Sequence, residues 1–297
     1  MKNKIILNTF LLLIIAHIMI ACGGKKEIPV VNYYDYDAGF PLQDSVRLID
    51  DNNSYLQYYV NYLSVHDKRV TALLAIPKNV KKPMPVIILL HGLGDRKTVD
   101  YIETGNKAFI DSGYAVFRID IDNHGERRVH DYEFNFTDGY RFSTRDVISQ
   151  TVFDLRRAVD FLGTRKEIDT TRIGYFGISL GGVIGTIFCG VDNRVKVPVI
   201  ALAGGNLHLA FGMEAFTDEA KNYFSIIDPI NFVALISPRP LLMINAENDE
   251  IIPPITSKLM YKAAGEPKRI IWYPTKHRKI PINKAYLEGV LWYKKYL

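Results

Sequence analysis

Gly177-Ile178-Ser179-Leu180-Gly181, with Gly182 after it, lies between an apolar β-like run, Arg172 to Phe176, and an apolar helix-like run, Val183 to Phe188. A serine at the crest of a strand-to-helix turn stands clear of the backbone, and small residues two before and two after it let the chain fold that tightly. Bulk at Gly177 or Gly181 would collide with the turn itself. The helix that follows aims its first N–H groups at the serine, so the Leu180 N–H is placed to hold a developing oxyanion. Taken alone the pattern is also an ordinary glycine-rich turn, and its surroundings must decide between the two.

Those surroundings alternate strand with helix. Upstream, Tyr55 to Val65 and Arg69 to Ile76 are rich in aromatic and β-branched residues and flank His66-Asp67-Lys68, which predicts a hairpin ended by Pro77. The tyrosines at 55, 58, 59 and 62 suit strand packing better than a sugar-stacking platform. Val86 to Leu90 is a continuous apolar run, as a strand buried on both faces requires. Lys97 to Ser112 reads as a helix closed by Gly113, and Tyr114 to Ile121 as the next strand. Ile148, Val152, Leu155, Val159 and Leu162 form one apolar stripe of a long helix, with Ser143 and Asp146 as a capping box and Gly163 as the stop. Past the central turn, Val197 to Leu202, Pro240 to Asn245 and Arg269 to Tyr273 read as strands, and Ile282 to Lys295 as a last helix. Such alternation predicts a mostly parallel sheet of about eight strands covered by helices on both faces.

Gly92-Leu93-Gly94-Asp95-Arg96-Lys97-Thr98 superficially suggests a phosphate-binding loop, but that loop needs Gly immediately before Lys, where Arg96 stands. Read as His91-Gly92-Leu93-Gly94 at the end of a buried strand, the same residues offer a turn whose Leu93 N–H is a second oxyanion donor beside Leu180. No H-E-x-x-H or similar metal-ligand cluster is present, so neither a metal nor a cofactor is expected.

The N-terminus reads as an export signal over residues 1–21. Lys2 and Lys4 precede an apolar stretch from Ile5 to Ile20 that is short for a membrane span. Met19-Ile20-Ala21-Cys22 resembles a bacterial lipobox, with Cys22 as the lipidated first residue of the mature chain; an uncleaved anchor and ordinary signal cleavage are the alternatives. Residues 22–43 are then expected to be a tether and 44–297 the folded domain. That implies a protein of the bacterial cell envelope, held on a membrane by lipid and not by a spanning helix. Cys189 is the one other cysteine and reads as a small core residue. The composition, 48% hydrophobic and 23% charged, is ordinary for a globular domain. A net charge of +5, with the C-terminal basic residues spread out, gives no footprint for nucleic acid.

Beyond these local signals, the chain from about Tyr55 to Leu297 resembles the α/β-hydrolase superfamily, in particular the branch of dienelactone hydrolases, acetyl esterases and prolyl-oligopeptidase-like catalytic domains. The resemblance is carried by His91-Gly92-Leu93-Gly94, Asp122-x-His124-Gly125-Glu126-Arg127, the run Arg172 to Gly182, Ser237-Pro238-Arg239-Pro240-Leu241-Leu242, Glu247-Asn248-Asp249-Glu250-Ile251-Ile252-Pro253 and the late His277. It implies an α/β-hydrolase fold and a chain order of nucleophile, acid and base, supplied here by Ser179, Asp249 and His277. Glu247 and Glu250 are the competing carboxylates near Asp249. Ala246 stands where the family usually has glycine, and Arg278 where a glycine often follows the histidine.

The implied activity is that of a serine hydrolase. A carboxylesterase cleaving small-molecule or acylated-carbohydrate esters through an acyl-enzyme is the first expectation. A serine peptidase is the alternative, although roughly 30 to 40 N-terminal residues are too few for a gating propeller. A catalytically silent hydrolase fold serving as a binding lipoprotein is the rival from another class. Residues 203–228, with Gly204-Gly205-Asn206, His208, Phe211 and Phe216, read as a small lid or an ordinary surface helix, and Tyr132, Phe134, Phe136 and Tyr140 as another wall.

Overall fold

The computed structural model describes residues 30–129, 134–135, 141–207, 217 and 222–297. Its centre is a sheet of nine strands: β1 (Ser45–Asp51), β2 (Tyr55–Leu63), β3 (Arg69–Pro77), β4 (Met84–Leu90), β5 (Ala115–Ile119), β6 (Ile168–Ile178), β7 (Val195–Ala201), β8 (Leu241–Ala246) and β9 (Lys268–Tyr273). Their order is β1-β2-β3-β5-β4-β6-β7-β8-β9. The first three strands and the β3–β5 pair run antiparallel; from β5 through β9 every pair is parallel. Strand and helix alternation thus yields the expected α/β-hydrolase sheet, with the hairpin as its antiparallel flank.

Two apolar clusters sandwich this sheet, and the strand sequences show why. In β4, Val86, Ile88 and Leu90 enter one cluster while Ile87 and Leu89 enter the other. Alternate side chains point to opposite faces, so a strand covered on both sides must be apolar at every position. On the first face lie α2 (Arg141–Gly163) and α3 (Leu180–Val191); on the second lie α1 (Asp100–Asp111) and α5 (Ile282–Tyr296). A further helix, α4 (Pro254–Ala263), covers the β8 end of the first face through Met260.

Three expectations are corrected. The sheet gains β1, whose burial is almost wholly that of an exposed edge and whose sequence, Ser-Val-Arg-Leu-Ile-Asp-Asp, carries little of the apolar signal of a buried strand. The long helix α2 already includes Arg141, so Ser143 sits within its first turn and is no cap. Residues 30–43, expected as the end of a free tether, are docked on the domain. Tyr34 is fully buried and its hydroxyl donates to the Ile226 carbonyl at 2.6 Å. The Tyr36 hydroxyl reaches Asp160 at 2.9 Å, and Arg157 Nη2 donates to the Phe40 carbonyl at 2.7 Å. Burying a tyrosine this far out secures the segment through both ring packing and a satisfied hydroxyl. The signal at 1–21, Cys22, half of the insert at 203–228 including His208, Phe211 and Phe216, and Tyr132, Phe136 and Tyr140 lie outside the described residues.

Candidate active site

Every candidate side chain stands on a loop leaving the carboxyl end of a parallel strand, the edge where such sheets collect their ligands. Ser179 follows β6 directly, with φ 56° and ψ −118°. That left-handed conformation costs a non-glycine residue of the order of 1–3 kcal/mol, and here it lifts the side chain off the turn. The Ser179 N–H donates to Ala201 O at 2.9 Å and its carbonyl accepts from Val183 N–H at 3.0 Å, which fixes the crest from both sides. The flanking glycines are required sterically. A Cβ on Gly181 would come 2.5 Å from the His91 carbonyl oxygen and 2.6 Å from that of Leu90, and one on Gly177 would strike the Gly181 backbone. The buried Tyr175 hydroxyl donates to Gly181 O at 2.5 Å and ties down the first turn of α3.

His277 lies on a single 3-10 turn, His277–Lys279, after β9, and is buried. Its Nδ1 is 2.7 Å from Asp249 Oδ2 and its Nε2 is 3.0 Å from Ser179 Oγ. With the ring proton on Nδ1, the imidazole donates to the carboxylate and accepts from the serine hydroxyl. Asp249 is aimed by its other oxygen, which accepts the N–H groups of Ile251 at 2.9 Å and Ile252 at 2.7 Å. The two loops are also sewn together through backbone bonds, Glu247 N–H to Tyr273 O at 2.8 Å and Asn248 N–H to Thr275 O at 3.0 Å. Of the competing carboxylates, Glu250 accepts from the His277 N–H at 3.1 Å and so supports the base from behind. Hydrogen bonds from its own N–H and that of His277 hold the Glu250 carboxyl below its ordinary range. Ala246 is buried at the end of β8, and Arg278 is exposed beside His277.

The turns that carry Leu93 and Leu180 both lie against the nucleophile. Leu180 opens α3, and Leu93 follows Gly92, where an added Cβ would lie 3.4 Å from Ser179 Cβ. Among the described residues neither amide N–H has a hydrogen-bond partner. The Leu93 side chain, 44% exposed, projects toward solvent, so its backbone is what the site holds in common with Leu180.

Behind the Leu93 turn is a buried polar layer. His91 Nδ1 donates to the Gly92 carbonyl at 2.7 Å and its Nε2 accepts from the Ile121 N–H at 3.1 Å, which sets a neutral ring. Burial pushes the His91 pKa down to about 4. His124, whose Nδ1 bonds the Asp122 carbonyl at 2.9 Å, is likewise lowered by burial. Asp120, fully buried, accepts from Lys97 Nζ at 2.5 Å and Lys97 N–H at 2.7 Å, while Arg127 bonds the Asp120 carbonyl at 2.9 Å and reaches Asp154 at 2.7 Å. Lys97, Asp120 and Tyr101 were not singled out by sequence reasoning. Asp120 and Arg127 carried a signal in or beside the Asp122 to Arg127 motif; Tyr101 carried none. Cys189 is buried in α3 and burial raises its thiol pKa, as suits a core residue. Among the described residues no three His, Cys, Asp or Glu side chains are gathered as a metal ion would need.

A sequence profile described as acetyl xylan esterase (AXE1) matches residues 38–202, more than half of the chain. The chain belongs to the acetyl xylan esterase family. It is therefore a carboxylic ester hydrolase with the α/β-hydrolase fold. The putative hydrolase YtaP of Bacillus subtilis is 24% identical over 231 residues, 71% of this chain and 75% of that one. Acetyl esterase Axe7A of Xylanibacter ruminicola is 28% identical over 152 residues, covering 47% of this chain and 34% of its own. Among solved structures, acetyl xylan esterase from Paenibacillus sp. R4 superposes with a TM-score of 0.75 at 21% identity, over 92% of this chain and 96% of that one. Acetyl xylan esterase 1 from Thermoanaerobacterium gives 0.72 at 18% identity, over 88% and 92%. These two structures and this chain thus share the fold.

Proposed function

We propose that this chain is a serine esterase that removes acyl groups, acetyl first among them, from acylated carbohydrate through an acyl-enzyme on Ser179. The observation that carries the reading is the single imidazole of His277 within hydrogen-bond reach of both Ser179 and Asp249. In the first half-reaction Ser179 Oγ attacks the acyl carbon while His277 Nε2 takes its proton. The tetrahedral oxyanion is held by the Leu93 and Leu180 N–H groups, each worth about 3 to 4 kcal/mol at the transition state. Collapse breaks the ester bond, and the sugar hydroxyl leaves with the proton from His277. Water then attacks the acyl-enzyme while His277 takes its proton; collapse breaks the acyl–Ser179 Oγ bond, the carboxylic acid leaves and His277 returns the proton to Oγ, with Asp249 fixing the Nδ1–H tautomer throughout. The acylated-carbohydrate substrate is favoured by the family and by the acetyl esterase Axe7A among its relatives.

Labelling the folded protein with a fluorophosphonate and mapping the modified peptide tests the reaction, with acetylated xylo-oligosaccharides and longer-chain aryl esters assayed in parallel. Modification at Ser179 with a preference for acetylated sugars is expected. An unlabelled folded sample, or a label elsewhere, would defeat the assignment. The same reading makes the enzyme an envelope lipoprotein, on the strength of the basic, apolar and Ala21-Cys22 pattern at its start. Cys22→Ala is expected to shift the protein out of the membrane fraction or leave it unprocessed, with kcat unaltered; unchanged fractionation and mass would remove the anchor.

A further inference from the structure

We propose that Tyr101, held by Asp95, is a positioning residue of the oxyanion-binding turn, a role that rests on the serine-esterase reaction proposed above. Gly92 lies at the centre of that turn, and both of its peptide planes are gripped by side chains. On one side the Gly92 N–H donates to the Tyr101 hydroxyl at 2.8 Å, and the hydroxyl donates onward to Asp95 Oδ2 at 2.8 Å. On the other, the Gly92 carbonyl accepts from His91 Nδ1–H at 2.7 Å. A peptide unit is planar, so holding the Gly92 carbonyl directs the Leu93 N–H to the opposite side, and holding the Gly92 N–H fixes the plane before it. Glycine would otherwise be the most pliable point of the loop. The Asp95 N–H also donates to the Gly92 carbonyl, at 3.4 Å, whereas the Gly92 N–H has the Tyr101 hydroxyl as its partner, so loss of that hydroxyl loosens the plane before the one that aims the Leu93 N–H.

The placement of Tyr101 is that of a residue acting through the backbone. A Cβ built on Gly92 would lie 3.4 Å from the Tyr101 hydroxyl and also 3.4 Å from Ser179 Cβ, so the glycine is the one layer between the tyrosine and the nucleophile. Its ring packs on the core cluster containing Ile102, Phe109 and Tyr286, and the turn thereby inherits the rigidity of α1 and α5. Burial raises the Tyr101 pKa far above that of a free phenol, an effect the Gly92 bond opposes and Asp95 reinforces, so the hydroxyl stays protonated and keeps its bond to Asp95. Asp95 itself is only partly buried.

Tyr101→Phe removes the acceptor and leaves the ring, and Asp95→Ala removes the group that orients the hydroxyl. In the full chain, kcat for an aryl acetate, KM, the affinity for an alkyl boronic acid that forms a tetrahedral anionic adduct on serine, and the thermal midpoint are measured together, with Ser179→Ala beside them. Tyr101→Phe is expected to lower kcat about 10- to 100-fold, less than the loss of a whole donor, with KM within about twofold and boronate affinity falling by the same factor as kcat. Asp95→Ala should follow in the same direction by about 3- to 10-fold. A purely structural tyrosine would lower the thermal midpoint and leave kcat and boronate affinity unmoved, which overturns the positioning role. Should Tyr101→Phe fail to fold, an unaltered kcat in Asp95→Ala overturns it equally. Turnover retained by Ser179→Ala would instead overturn the esterase reaction, and the role of Tyr101 with it.

Discussion

Two turns meet at this site and are built in opposite ways. The turn after β6 is made by the chain itself: Gly177 and Gly181 clear the space, Ser179 takes a left-handed conformation, and backbone bonds to Ala201 and Val183 lock it. The turn after β4 is held from outside, by the His91 ring, the Tyr101 hydroxyl and the Lys97–Asp120 pair beneath it. A turn held mainly by backbone groups, its own and those of the neighbouring strands β4 and β7, depends little on which side chains surround it. One held by distant side chains keeps its shape only within this fold, and its failure should be felt first in the chemistry.

The largest expected effect tests whether the first turn carries the chemistry at all. Ser179→Ala and His277→Ala should each lower kcat by about 10⁴-fold or more while leaving the thermal midpoint within a few degrees of wild type. Turnover within tenfold of wild type in either would mean the two turns frame something else. Next in size, Gly181→Ala places a methyl 2.5 Å from the His91 carbonyl and so strikes both turns at once. A loss of about 3 kcal/mol in denaturant unfolding is expected, and a neutral result would mean that the turns are looser than their contacts imply.

Acid should weaken the second turn. His91 has its folded pKa depressed to about 4 by burial, so the unfolded chain binds the extra proton first. Its neutral form contributes stability that is fully present above the unfolded value near 6.5 and is lost as pH falls from there toward 4. The urea midpoint should therefore drop over that window by the equivalent of about 2–3 kcal/mol, with the lowered His124 adding in the same direction. His91→Gln should flatten the slope, and an unchanged slope would take His91 out of the account. The smallest effect isolates strain. Ser179→Gly relieves the left-handed serine and should raise stability by about 1 kcal/mol while removing turnover, whereas a loss of stability would show that the serine side chain contributes more than its backbone costs.

Legibility in the sequence follows the same division. The strands β4 to β8 were plain because two-sided burial writes apolar runs, the half-buried β9 because β-branched and aromatic residues close it, and the hairpin β2–β3 because aromatic and β-branched residues crowd it. Strand β1 was not, since apart from Val46 its side chains stay exposed and its pairing with β2 is what makes it a strand. The docking of residues 30–43 was hidden for a related reason: it depends on Tyr34 and Tyr36 finding Ile226 and Asp160 far along the chain. Glu250, read as a rival to Asp249, proves to be a backbone partner of His277.

What the sequence by itself determined is whatever rests on local pattern: the alternating α/β architecture and the glycine-cleared elbow around Ser179, while the order in which Asp249 and His277 follow it was what the resemblance to α/β-hydrolases implied. What only the tertiary structure decided is whatever requires residues far apart to meet. The 2.7 Å and 3.0 Å bonds of His277 depend on β8 and β9 lying in register beside β7 and β6. The Leu93 turn depends on Tyr101 and His91 gripping one glycine. Local pattern is legible because steric and solvation constraints act on neighbours in the chain; the meeting of distant loops is set by the packing of the whole sheet, which no short stretch encodes.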